Sequence, residues 1–166
     1  MGRCREGEVA VVMTSSRAEA LMLLPDWARR LSAKGAVDFT ETLEGTWRRD
    51  GEELDRPIRL VLRHRAESAR RLLESGAMES EGEAALDGAA SRVQGSRRVS
   101  WRTGRVDIDL VSDEFRFIGG LHNLLWKGEP HRFRIETLSG APVGDAILRP
   151  RAVTQPELPA AEAEAP

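Results

Sequence analysis

One cysteine and no tyrosine occur in the 166 residues. Cys4 on its own excludes an internal disulfide and gives no sign of an oxidising compartment, so a cytoplasmic location is expected. No apolar run reaches the roughly 18 residues needed to cross a bilayer as a helix, which argues against integral membrane association. The stretch VAVVM (9–13) is too short, and too acidic just before it, for a signal peptide. Lysine is scarce: Lys34 and Lys127 stand against 23 arginines. A formal net charge of −2 argues against general nucleic-acid affinity, which depends on neutralising many phosphates. Chemical signatures are missing too. There is no G-x-S-x-G, no G-x-G-x-x-G, no phosphate-cradling loop, and no H-x-H or H-x-x-x-H spacing. Sequence therefore assigns no catalytic residue, no metal ligand and no cofactor, and a non-enzymatic reading leads.

What remains is a globular composition long enough for one domain with its own core. Residues 1–12 read as translated upstream sequence or a disordered start, with Met13 as the expected natural beginning. Ser16 and Glu19 form a capping-box pattern ahead of Leu21, Leu24, Trp27 and Leu31, which predicts a helical segment over 13–35 interrupted at Pro25. From residue 37 the apolar period changes from 3.6 to 2. Strands are expected at 37–48 and 57–65, joined by the Asp50-Gly51 turn, and a short helix at 66–76 closes at Gly76. The segment 77–88 reads as a strand with Met78, Ala84 and Leu86 inward, or as a loop. Within 97–126, Thr103-Gly104 marks a tight turn and Val106, Ile108 and Leu110 share a face. Another strand is expected at 131–138. The strand domain spans 36–152, and the Pro/Ala/Glu-rich stretch 153–166 is expected to be a disordered tail.

The fold class that follows is α+β. A helical N-terminal segment accompanies a curled antiparallel sheet or β-barrel of about six to eight strands.

One residue breaks the alternation of VDFTETLEGTW (37–47). Val37, Phe39, Leu43, Gly45 and Trp47 share a parity with Glu41, which places a carboxylate on the face that should point into the core. A bulge near Gly45, or a sheet opening to water, would release it. A buried arginine or His64 could pair with it. A ligand in a barrel mouth could use it, because a desolvated acid titrates unusually and carries protons. His64 ends the apolar face of the second strand, and His122 lies in GGLHNLLW (119–126). The aromatics gather in the strand half, where Trp101, Phe115, Phe117 and Trp126 would line either a packed core or an apolar cavity. Gly119-Gly120 suggests a bulge, or a place where another group comes close to the backbone. Arg59, Arg63, Arg65, Arg70 and Arg71 read as a solvated face.

Phe39, Glu41, Leu43 and Gly45, together with GAMESEGEAALDG (76–88) and DEFRFIGGLHNLLW (113–126), resemble the accessory β-rich region of cholesterol-oxidase-like glucose–methanol–choline oxidoreductases. The flavin-binding fingerprint of those enzymes is absent here, so the resemblance implies no oxidase activity. It implies an accessory or ligand-carrying module near lipid or sterol chemistry, with an oxidoreductase as partner and Glu41 as part of the fold's own pattern. The leading expectation is a non-catalytic module for a small apolar ligand. Glu41, His64, His122, Trp101, Phe115, Phe117 and Trp126 are its candidate ligand-binding residues. Two alternatives stay open: a cofactor-free enzyme working with a Glu/His pair in a barrel mouth, and a structural subunit whose strand edges another chain covers.

Overall fold

The structure is a computed structural model that describes residues 36–124 and 128–154. The expected start at 1–12, the helical segment at 13–35 and the tail from 155 onward lie outside the described residues, and so does Trp126.

The alternation that sequence shows becomes the wall of a barrel. Strand β1 (Val37–Arg49) buries Val37, Phe39, Glu41, Leu43 and Trp47 on one parity. Strand β2 (Asp55–Ala66) answers with Ile58, Leu60, Leu62, His64 and Ala66. Helix α1 (Ala69–Ser75) follows, started by the Ser68 side chain, which accepts from the Arg71 N–H, and stopped by Gly76 in the left-handed region. The remaining wall is β3 (Ala77–Leu86), β4 (Ala89–Val99), β5 (Val106–Val111), β6 (Phe115–Leu121), β7 (His131–Thr137) and β8 (Pro142–Thr154).

Each strand pairs antiparallel with the next, and β8 pairs back onto β1, so eight strands close the barrel. Closure satisfies the backbone groups that a sheet edge would leave open. The subunit alternative that needs uncovered edges therefore finds none among the described residues. The only helix among them is α1, so this part of the chain is essentially all-β, and the α of the expected α+β class rests on residues outside the description. Segment 77–88 is a strand and its turn, and β8 runs two residues into the expected tail, to Thr154.

Gly119 and Gly120 sit in regular register between β5 and β7, without a bulge. The approaching group is the barrel's own backbone. A Cβ at Gly119 would lie 1.8 Å from the Arg132 carbonyl oxygen, and one at Gly120 would lie 1.9 Å from that of Val106. These glycines let the wall curl tightly.

Two apolar clusters fill the interior. The larger one, including Leu43, Leu60, Ile108, Phe117, Ile135 and Leu148, packs the body of the barrel. The smaller one, with Val37, Phe39, Ala66, Ala69, Leu72 and Met78, closes the end over which α1 lies. Outside, cross-strand ion pairs such as Arg63–Asp38 and Arg65–Glu81 cover the wall, and Arg59, Arg70 and Arg71 are paired and exposed as expected. Among the described residues no helix is long and apolar enough to cross a membrane.

Candidate functional site

Between the two apolar clusters lies a polar layer that the alternation makes unavoidable. Glu41 on β1, His64 on β2, Ser80 on β3 and His131 on β7 all project inward, and all are buried. Arg97 on β4 is only partly buried, but its Nε is sealed from solvent. The register that pairs Phe39 with His64, and His64 with Ser80, keeps three of these residues at neighbouring heights.

His64 is the hub. Its Nε2 lies 3.3 Å from Glu41 Oε2 and its Nδ1 lies 2.7 Å from Ser80 Oγ. An ionised carboxylate only accepts, so Nε2–H donates to Glu41, and Nδ1 accepts from the Ser80 hydroxyl. The result is a directed chain: Ser80 to His64 to Glu41. On the other carboxylate oxygen, His131 Nε2 is 4.0 Å from Glu41 Oε1, too far for a hydrogen bond. The His131 ring stacks on Phe133 instead, with centroids 6.3 Å apart. Neither of its ring nitrogens has a hydrogen-bond partner among the described residues, and the same holds for Arg97 Nε. The Arg97 guanidinium lies over Phe39 at 5.8 Å, and its Nη1 approaches the Met78 sulfur at 3.9 Å.

The electrostatics follow from burial and these neighbours. Burial alone would raise the Glu41 carboxyl. The His64 hydrogen bond and the Arg97 charge outweigh it and hold the pKa at about 2. Burial pushes His64 below its ordinary value, against the pull of Glu41. Burial likewise drives His131 down to about 4; Glu41 opposes this and Arg97 adds to it. For Arg97, burial lowers the affinity for its proton and Glu41 restores part of it, and the guanidinium stays charged. Near neutral pH the layer thus holds one anion, one cation and two neutral imidazoles.

Among the described residues no three His, Cys, Asp or Glu side chains are arranged to hold a metal ion. The reason is local. Glu41 accepts from His64 Nε2–H, and that proton leaves Nε2 no lone pair for a metal. Neither group is free to turn toward a cation.

The sequence-derived candidates separate into three groups. Glu41 and His64 come together, with Glu41 paired and buried on an unbroken register to β2, so neither the bulge at Gly45 nor the opening to water releases it. Trp101 stands at the same end, half-buried, with its Nε1 donating to the Leu72 carbonyl at 3.0 Å. His122, Phe115 and Phe117 do not join them. His122 is exposed, with its backbone N–H on Glu129 Oε1. Phe117 is wholly buried in the larger cluster and Phe115 packs against it, so these rings fill the core. Sequence reasoning missed Ser80, Arg97 and His131. Each shares parity with a residue the structure buries in the core: Ser80 with Met78, Arg97 with Val99, and His131 with Phe133.

The Trp101–Leu72 bond ties α1 down, alongside the Val99 N–H, which donates to the Gly76 carbonyl at the helix's end. Trp101→Phe deletes the donor and trims the indole to a phenyl ring, so it should cost at least about 1 kcal/mol in urea unfolding. A change below a few tenths would show that the helix is held by its other contacts.

Comparison with protein-family models, curated proteins and solved structures finds no match. No relative therefore connects this barrel with the glucose–methanol–choline oxidoreductases.

Proposed function

We propose that the protein is a non-catalytic binding module. It would hold a small, mainly apolar molecule at the α1-capped end of the barrel, with the molecule's polar head in the layer of Arg97, His131 and Glu41. The observation that carries this reading is His131: it is 1% exposed, and neither ring nitrogen has a hydrogen-bond partner among the described residues, Glu41 Oε1 standing 4.0 Å from Nε2. A buried polar group left unpaired costs about 1–3 kcal/mol, and a bound head group that pairs with it recovers that cost. The body of the barrel is filled by side chains, which confines the ligand to the capped end. Entry is inexpensive there, because α1 buries only Ala69 and Leu72. An open surface groove of about 600 Å³ lies beside α1, walled by Val37, Ala66, Arg71 and Met78; none of the polar-layer side chains lines it, so a ligand reaches them only when α1 shifts.

Titration with a fluorescent sterol and with a dansyl-labelled fatty acid tests this. At least one should bind saturably. His131→Phe should weaken that binding and at the same time stabilise the empty protein by about 1–2 kcal/mol, since it deletes unpaired buried nitrogens. Absence of saturable binding by both probes, or a destabilised His131→Phe, would remove the proposal. The docking role that the resemblance implies has its own test, co-purification with an oxidoreductase of that class.

A cofactor-free enzyme is the second reading, supported by the Ser80–His64–Glu41 chain, whose donor order matches that of a serine nucleophile, its base and an orienting acid. Against it, His64 is 0% exposed and Ser80 3% exposed, so a substrate has no contact with either until the cap moves. A fluorophosphonate probe is expected to leave Ser80 unlabelled, and labelling that depends on His64 would favour the enzyme.

A further inference from the structure

We infer that the polar layer selects an uncharged hydrogen-bonding head, such as a hydroxyl, over a carboxylate; this rests on the binding reading above and specifies its ligand class. The argument is a count of charges and donors. Glu41, which accepts from His64 and lies 4.0 Å from His131 Nε2, already supplies an anion in the layer, within the influence of the Arg97 charge. A second carboxylate would enter beside Glu41 with only one guanidinium in the layer to offset both, and two like charges that share one half-buried cation repel.

A hydroxyl meets a different situation. The unpaired atoms are Arg97 Nε, a donor, and the two ring nitrogens of His131. Neutral His131 presents one donor and one acceptor, so the layer offers both kinds of hydrogen bond and asks for no charge. A hydroxyl both gives and accepts, and fits this set. His64 is no competitor for it, because both of its nitrogens are engaged by Ser80 and Glu41. A cationic head is disfavoured by Arg97 in the same way that an anion is by Glu41. The apolar remainder of the ligand would lie among the cap residues Phe39, Leu72, Met78 and Trp101, all of which belong to or pack on the smaller cluster.

Displacement of a saturably bound fluorescent probe at pH 7.5 by 1-decanol and by decanoate tests the inference. After correction for their different partitioning from water, decanol should displace about tenfold more effectively. Glu41→Gln should reverse this by freeing Arg97 for the carboxylate, so decanoate gains about tenfold relative to decanol. Should that variant fail to fold, ¹⁵N-histidine spectra of the wild-type protein supply the readout: decanol should shift a His131 ring nitrogen and leave those of His64 in place. Equal displacement after correction, a preference for decanoate, or an unmoved His131 overturns the head-group inference while the binding module stands. No saturable binding of any probe overturns both.

Discussion

Glu41→Leu should cost the protein about 3–5 kcal/mol of unfolding free energy, because it removes the carboxylate whose charge offsets that of Arg97, a half-buried guanidinium with its Nε sealed from solvent. The same change strips His64 Nε2–H of its acceptor, which adds an unpaired buried donor. The pair is expected to behave as a unit. Taking two charges out of water costs several kcal/mol per ion, and mutual attraction returns about that amount, so removing both at once is far milder than removing either. Glu41→Leu combined with Arg97→Met should fall within about 1–2 kcal/mol of the wild type, well short of the sum of the single changes. Glu44, on the outer wall between Arg59 and Arg151, supplies the contrast. Its exposed pairs are screened by solvent, and Glu44→Gln should stay within about 0.5 kcal/mol. Urea unfolding of the five proteins near pH 7.5, Arg97→Met alone included, decides the matter. If Glu41→Leu costs less than about 1 kcal/mol, or the double change is additive, the interior charges do not depend on one another and the polar layer is a set of separate accidents.

Much of this layer could be read from a period of two. Once β1 alternates without interruption, Glu41 must face inward, and the parity of β2 puts His64 on the same side. What a single sequence could not choose was the fate of that carboxylate. Release by a bulge and pairing across strands predict the same local pattern, and only the register distinguishes them. The register with β2 runs unbroken from Val37↔Ala66 to Arg48↔Asp55, while the shift at Thr42/Leu43 falls on the β8 side. Pairing with His64 therefore prevails. The missed members are instructive. Arg97 sits in a strand whose other residues are largely polar or small, so β4 carried almost no apolar signal before Val99. Ser80 lay in a segment left between strand and loop. His131 opens β7 directly after Pro130, at the first position of the expected strand, and its parity with Phe133 and Ile135 was visible there, but a polar residue at a strand end carries no sign of being buried. Strand β8 escaped because its inward residues, Val143, Ala146 and Leu148, are interrupted by Gly144 and followed by Pro150. Closure itself, which turns a curled sheet into a barrel without edges, depends on the pairing of β8 with β1 and leaves no local mark.

Acid should weaken this barrel well before ordinary surface carboxylates titrate. The groups facing His131 are Glu41 from β1, His64 from β2, Arg97 from β4 and Glu129 from the preceding loop. Burial dominates, and holds His131 near 4 in the folded state against an ordinary value of 6.5. Between those two values the unfolded chain binds a proton that the folded one refuses, so stability falls as the pH is lowered. The contribution is fully present above about pH 6.5 and gone below about pH 4, and a shift of this size amounts to about 3 kcal/mol. His64, also lowered by burial, acts in the same direction from the same upper limit. Glu41 follows in a lower window, between its ordinary 4.5 and about 2, where protonating it removes the partner of Arg97. Unfolding free energies measured by urea at pH 8, 7, 6, 5 and 4 should be level to about 6.5 and then drop steadily, ending at least about 3 kcal/mol lower. His131→Phe should flatten the part of the slope that belongs to that ring and leave the His64 part. A profile level down to pH 4.5 would mean that both imidazoles accept protons freely in the folded barrel. In that case water reaches them, the polar layer is not dry, and the unpaired nitrogens of His131 no longer call for a ligand.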